Sequence, residues 1–218
     1  MSSYDLSRIV IWIGVFVLVS APVHECAHAF AAWKLGDGTA KLFGRVSLDP
    51  VRHFDPVGGT FLIISIVLSQ GSFGFGWAKP TPVNPLNLRG RYADTIVAVA
   101  GPLSNLALAA LFAVGFRILW ANDIVPDNTS AINMLQLVFW VGVQLNVALM
   151  VFNLIPVPPL DGSHVLLDVL DPRTAQSVRV LFAQYGVWLL LPIVFLAGRI
   201  IGPIMTPIVS ALVGLPLS

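Results

Sequence analysis

Two histidines four residues apart flank the only glutamate in the chain: His24-Glu25-Cys26-Ala27-His28. On a helix, positions i and i+4 share a face, so both imidazoles can reach one metal ion. Glu25 projects about 100° away from His24 yet stays beside such a site. There it can take a proton from a water on the metal. Two imidazoles, a third protein ligand and a water make a catalytic zinc site. The motif lies in an apolar run that begins at Ile9 and continues through small residues to Trp33. Ionisable side chains within such a run cost roughly a few kcal/mol each and usually mark function. The bland alternative is a pair of inward histidines bonded to neighbouring helices, with Glu25 as their structural partner.

Six residues qualify as the third ligand: Asp161, His164, Asp168, His53, Asp49 and Asp55. Depth favours Asp161. His28 lies about 10 Å along the helix from its inner end at Leu35. The span from Ala131 runs towards that same side and breaks at Pro156, Pro158 and Pro159. Asp161 follows at once, just before Gly162. Asp168 is a turn or more further on and reads as solvated. His164 either lines the site, orients Asp161, or is a plain surface residue. His53, in Arg52-His53-Phe54-Asp55-Pro56, reads either as a loop histidine capping a turn or as part of an active-site rim.

The elements that must position these residues are membrane spans. The 218 residues are 56% hydrophobic and 11% charged, against roughly 25% charged in a soluble domain. Mean hydropathy is +0.85. A net charge of +1 leaves no basic surplus for nucleic acid, and the single cysteine excludes an internal disulfide framework. A helix from Leu6 to Leu35 would measure about 45 Å, longer than a hydrocarbon core of about 30 Å. Asp94 to Trp120, Ala131 to Ile155 and Val178 to Ala197 are also long enough to cross. Ile200 to Val213 is shorter and carries Pro203 and Pro207, so it reads as a kinked span or an interfacial segment. Phe61 to Leu68 is too short to cross and is expected to dip in and return, buried in protein or beside a wet cavity.

Lys34, Lys41, Arg45 and Arg52 before that piece, and Lys79, Arg89 and Arg91 after it, place both flanks inside. Arg173 and Arg179 place their connection inside too, whereas Ala121 to Ser130, with Asp123 and Asp127 only, reads as outside. The N-terminus is then outside, and Arg199 runs against the bias. Thr81 and Val83 alternate with Pro80, Pro82 and Pro85, which suits an extended edge. The fold class is an all-α polytopic membrane protein. It has about five to six transmembrane segments, with a re-entrant or extended element between the first two long spans. One domain covers 1–218, with a core of 6–170 and C-terminal helices in 175–218.

His24-Glu25-Cys26-Ala27-His28, together with Asn153-Leu154-Ile155-Pro156-Val157-Pro158-Pro159-Leu160-Asp161-Gly162, resembles the site-2 protease family of intramembrane zinc metalloproteases. Ala100-Gly101-Pro102-Leu103-Ser104-Asn105, Gly44 to Pro50 with Asp55 to Gly58, and Gly76-Trp77-Ala78-Lys79-Pro80 match that family's pattern as well. The resemblance covers roughly Val10 to Leu170. It implies that His24, His28 and Asp161 bind one zinc ion per chain and that Glu25 is the general base. It also implies cleavage of a single-span membrane protein substrate within the bilayer, near the cytoplasmic side of a prokaryotic cell membrane. Asn153 would hold substrate or the developing oxyanion, with a helix–helix hydrogen bond as the plainer reading. His53 is the other residue assigned to substrate or oxyanion. Gly101 and Ser104 read as close-packing positions, and Cys26 as facing a neighbouring helix. The family's frequent PDZ or CBS regulatory domains are not seen in this sequence. Two other classes compete. A metal permease should show inverted repeats or paired broken helices, which are not visible. An inactive scaffold would keep metal without cleaving.

Overall fold

The computed structural model describes residues 3–69, 74–121 and 131–215. The first span opens with α1 (Ser3–Val15), widens into a π-helical turn over Phe16–Ser20, and continues as α2 (Ala21–Lys34). Pro22 explains the widening. It has no N–H for the carbonyl of Leu18, and its ring crowds that oxygen. The backbone N–H of Ala21 therefore reaches back five residues to Phe16. The His-Glu-His motif begins directly below this defect.

Two short helices, α3 (Thr39–Leu42) and α4 (Pro50–His53), lead to α5 (Pro56–Leu68). Asp49 caps α4 through the Val51 N–H, and Asp55 caps α5 through the Gly58 N–H. The α5 helix starts five residues before the apolar run read from the sequence, because Asp55-Pro56 supplies a start signal ahead of two glycines. At 13 residues it is apolar but too short to cross. Leu62 and Ile66 are buried against Val15, Phe16 and Leu145. From Gly74 to Asn84 the chain is extended without forming a strand, then closes in a 3-10 turn, Pro85–Asn87.

Two long helices follow, α6 (Ala93–Ala121) and α7 (Ala131–Asn153), then short α8 (Gly162–Val169) and long α9 (Pro172–Val213). The largest core is formed by Ala113 and Phe116 of α6, Val143 and Val147 of α7, and Val209 and Val213 of α9. Among the described residues, three helices are long and apolar enough to cross: 6–34, 93–120 and 134–153. A fourth is counted if Pro172–Gly186 and Trp188–Val194 form one span bent by 78°. Pro56–Leu68 and Arg199–Val213 are shorter apolar helices, so three to four helices of crossing length stand among the described residues against the five to six segments expected.

The span expected over 178–197 is thus bent. Gly186 sits at the break, and Pro192 withdraws the N–H that would have bonded Trp188. The connection 122–130, read above as external, and 70–73 of the glycine-rich loop lie outside the described residues.

Candidate metal centre

Helix α2 meets α6 along small residues. Ala29 and Ala32 are buried on one side, and Ala93, Val97 and Ala98 on the other. This contact brings the α6 backbone to the imidazoles. The Nδ1 atom of His28 lies 2.7 Å from the Val97 carbonyl oxygen. A carbonyl only accepts, so this nitrogen carries a proton, and in the neutral imidazole, the form that can bind a metal, Nε2 is bare.

His24 is fixed through a longer relay. Its Nδ1 is 2.6 Å from Asn105 Oδ1. Asn105 Nδ2 donates to Asn146 Oδ1 at 2.9 Å, and Asn146 Nδ2 donates to the Gly142 carbonyl at 2.8 Å. That last carbonyl sets the direction of every bond in the chain: both amides are oriented and His24 Nδ1 must donate. Both asparagines are fully buried within apolar helices and satisfied.

Two bare Nε2 atoms therefore face each other at 3.0 Å. Asp161 completes the group, with Oδ2 3.3 Å from His24 Nε2 and Oδ1 3.4 Å from His28 Nε2. With both imidazoles neutral these are not hydrogen bonds, and Asp161 Oδ2 is a buried oxygen without a hydrogen-bond partner. Three lone-pair donors this close repel one another unless a cation sits among them. A tetrahedral ion with ligand bonds of about 2.0–2.1 Å has ligand–ligand edges of about 3.3–3.4 Å. The separations of 3.3 and 3.4 Å, one to each oxygen of Asp161, match that edge length, and the 3.0 Å between the imidazoles is somewhat shorter. His24, His28 and Asp161 are the metal-competent group found among the described residues, their ligand atoms lying within 4.8 Å of one another.

Asp161 reaches the histidines because the chain folds back sharply after α7. A Cβ on Gly162 would lie 2.3 Å from the Leu154 oxygen, so only glycine lets the loop press on the end of its own helix. Gly101 is equally constrained. A Cβ there would sit 2.3 Å from His28 Nε2 and 2.6 Å from His24 Cε1. Its role is thus more specific than helix packing: it clears the space in front of the imidazoles.

The sequence profile of Peptidase family M50 matches residues 118–196, a stretch that holds Asp161 but not the histidine pair. The protein YwhC of Bacillus subtilis, named as a candidate zinc metalloprotease, is 36% identical over 202 residues, covering 88% of this chain and 84% of its own. The chain belongs to peptidase family M50, the site-2 proteases. Rip2 of Mycolicibacterium smegmatis, named likewise, is 32% identical over 80% of this chain and 65% of its own. Rip2 of Mycobacterium tuberculosis is 33% identical over 76% of this chain and 62% of its own, so the chain spans less than two thirds of the Rip2 proteins. No solved structure matches. As a family M50 member the protein is a zinc metalloprotease, and its apolar helices make it an integral membrane protein.

The other ligand candidates in this M50 chain have separate roles. Asp49 and Asp55 are helix caps. Asp168, read as solvated, instead accepts from the N–H and hydroxyl of Thr95 at 3.2 and 2.7 Å, capping the start of α6. His164 pairs with Asp94 at 3.0 Å rather than with Asp161. These two contacts dock α8 on α6. His53 is 1% exposed and its Nε2 lies 2.7 Å from the Ser47 carbonyl. A neutral His53 therefore presents only an acceptor at Nδ1, which is buried and unpartnered. The substrate or oxyanion role expected of His53 would need a proton on that nitrogen. Asn153 Nδ2 donates to Leu149 in its own helix at 3.0 Å, which is neither the helix–helix bond nor the oxyanion contact expected of it.

No spacing or motif in the sequence marks Thr81 as a partner of Glu25. Its N–H and hydroxyl both reach Glu25 Oε2, at 2.8 and 2.7 Å. The extended segment is also tied at each end. The Lys79 N–H donates to the His53 carbonyl at 2.8 Å, and the Asn84 N–H to Asp37 Oδ2 at 2.7 Å. Burial opposes the charge on Asp37, yet hydrogen bonds from Thr39, Asn84 and Asn87 hold its carboxyl below the ordinary range.

Proposed function

We propose that this metalloprotease hydrolyses a peptide bond in a single-span membrane substrate, close to the cytoplasmic face of a prokaryotic cell membrane. The observation that carries the reading is the pair of bared Nε2 atoms converging with Asp161 inside an apolar span, with the only glutamate of the chain beside them. In this reading His24, His28 and Asp161 hold the zinc ion. Zinc, when bound, acts as a Lewis acid that brings the pKa of a water towards neutrality.

Glu25 is the general base. Its Oε1 takes a proton from water as the oxygen bonds to the substrate carbonyl carbon. The same proton passes to the amine nitrogen as the carbon–nitrogen bond breaks, leaving a carboxyl and an amine terminus. Asn153 Nδ2 spends one hydrogen on the Leu149 carbonyl and keeps a second that an oxyanion could accept.

A helical substrate must unwind to present a carbonyl, and the extended segment 79–84 is the neighbouring surface for an unwound strand. Its donors are nearly all spent. Pro80 and Pro82 have none, the Thr81 N–H is on Glu25, and the Asn84 N–H is on Asp37. Val83 offers the one main-chain N–H left between Pro80 and Asn84, so a paired substrate would mainly donate to carbonyls.

The deciding experiment is Glu25→Gln, with metal content by elemental analysis and cleavage of single-span peptides in detergent. Metal should be retained, while cleavage should fall by about 10²–10⁴-fold. Undiminished cleavage in the metal-loaded variant would reject Glu25 as base. Metal flux through proteoliposomes would favour the permease reading instead.

A further inference from the structure

Glu25 is half-buried, and a carboxylate on a flexible stem is a poor base unless it is held in place. No hydrogen bond reaches Oε1 among the described residues, whereas Oε2 receives two from Thr81. The Thr81 hydroxyl also lies 3.0 Å from the Glu25 main-chain oxygen. A hydroxyl has one proton, and the shorter, charge-assisted contact at 2.7 Å is the stronger claim on it. Thr81 itself is stiff. It sits between Pro80 and Pro82, and a residue before proline is confined to extended conformations. The ties at Lys79 and Asn84 fix the segment on both sides.

We propose that Thr81 is the positioning residue of the general base: it occupies Glu25 Oε2 with two donors and so leaves Oε1 alone to carry the proton. This rests on the reading of Glu25 as base. The plain alternative is that the contact merely docks the loop on α2. The two differ in what Thr81→Val should do, since valine keeps the N–H and the shape but loses the hydroxyl.

The test uses the full chain in detergent, with wild type, Thr81→Val, Thr81→Ser and Glu25→Gln measured side by side. Thr81→Val should keep its zinc and its KM while kcat falls by about 10–100-fold, the scale of a small misplacement of a catalytic group. Thr81→Ser should restore most of that loss. A second readout needs no turnover. Because Glu25 is the only glutamate, ¹³C-glutamate labels that single side-chain carboxylate. Its infrared band in the metal-free protein should shift in Thr81→Val and return in Thr81→Ser.

Wild-type kcat and an unshifted band in Thr81→Val, with Glu25→Gln inactive, would overturn the proposal and leave the base intact. A change in KM alone, or loss of zinc, would overturn it in favour of a substrate-holding or docking role. Active Glu25→Gln would remove the base itself, and this proposal with it.

Discussion

His24 and Glu25 are adjacent in the chain but are held from opposite directions. His24 is fixed from behind by two buried amides on α6 and α7 that end on a helix carbonyl. Glu25 is fixed from the front by an extended loop between two prolines. The first arrangement is part of the helix packing and can change only if helices move. The second belongs to a segment with no regular ladder of its own, tied down at a few points. Metal binding and proton transfer should therefore be separable by mutation, although the residues that perform them are neighbours.

The largest effect on the metal side should come from Gly101→Ala. The new methyl would fall within van der Waals overlap of both imidazoles, so bound metal and cleavage should both be lost on elemental analysis and peptide assay. Gly202→Ala, where a Cβ meets nothing within 4 Å, should keep both. A Gly101→Ala protein with full metal would show that the pocket is looser than the relay implies.

Next in size is the relay. Asn105→Leu should weaken metal affinity by about 10–100-fold, as loss of a ligand's outer partner does, measured by competition with a chelator. Asn146→Leu acts on the same chain one step further back, so the double variant should cost less than the sum. Thr81→Val should leave this affinity unchanged. If it does not, the two regions are coupled and the comparison fails.

The smallest effect lies at the contact of α8 with α6. Hydrogen bonding to Asp94 pushes the His164 imidazole above its usual 6.5. The pair's contribution is full below that usual value and fades as pH rises through the elevated one. The pair is half-exposed, so it is worth at most about 1 kcal/mol. The Tm of His164→Gln should trail wild type slightly near pH 6 and converge with it as pH rises past the elevated pKa.

What the chain shows without its fold is local and periodic. The i, i+4 spacing announces the histidine face, the apolar runs announce the spans, and the proline cluster announces where the third long helix must end and bring Asp161 near. Asn105 and Asn146 carried a signal too, as amides inside apolar helices, but not the direction of their bonds. Which imidazole nitrogen keeps its proton, which glutamate oxygen is left free, and why position 101 must be glycine depend on partners from other elements. The decisive contacts join residues 81, 69 and 56 positions apart. No helical period reaches that far, because hydrogen-bond direction is set by the acceptor at the end of the chain, and only packing decides which acceptor that is.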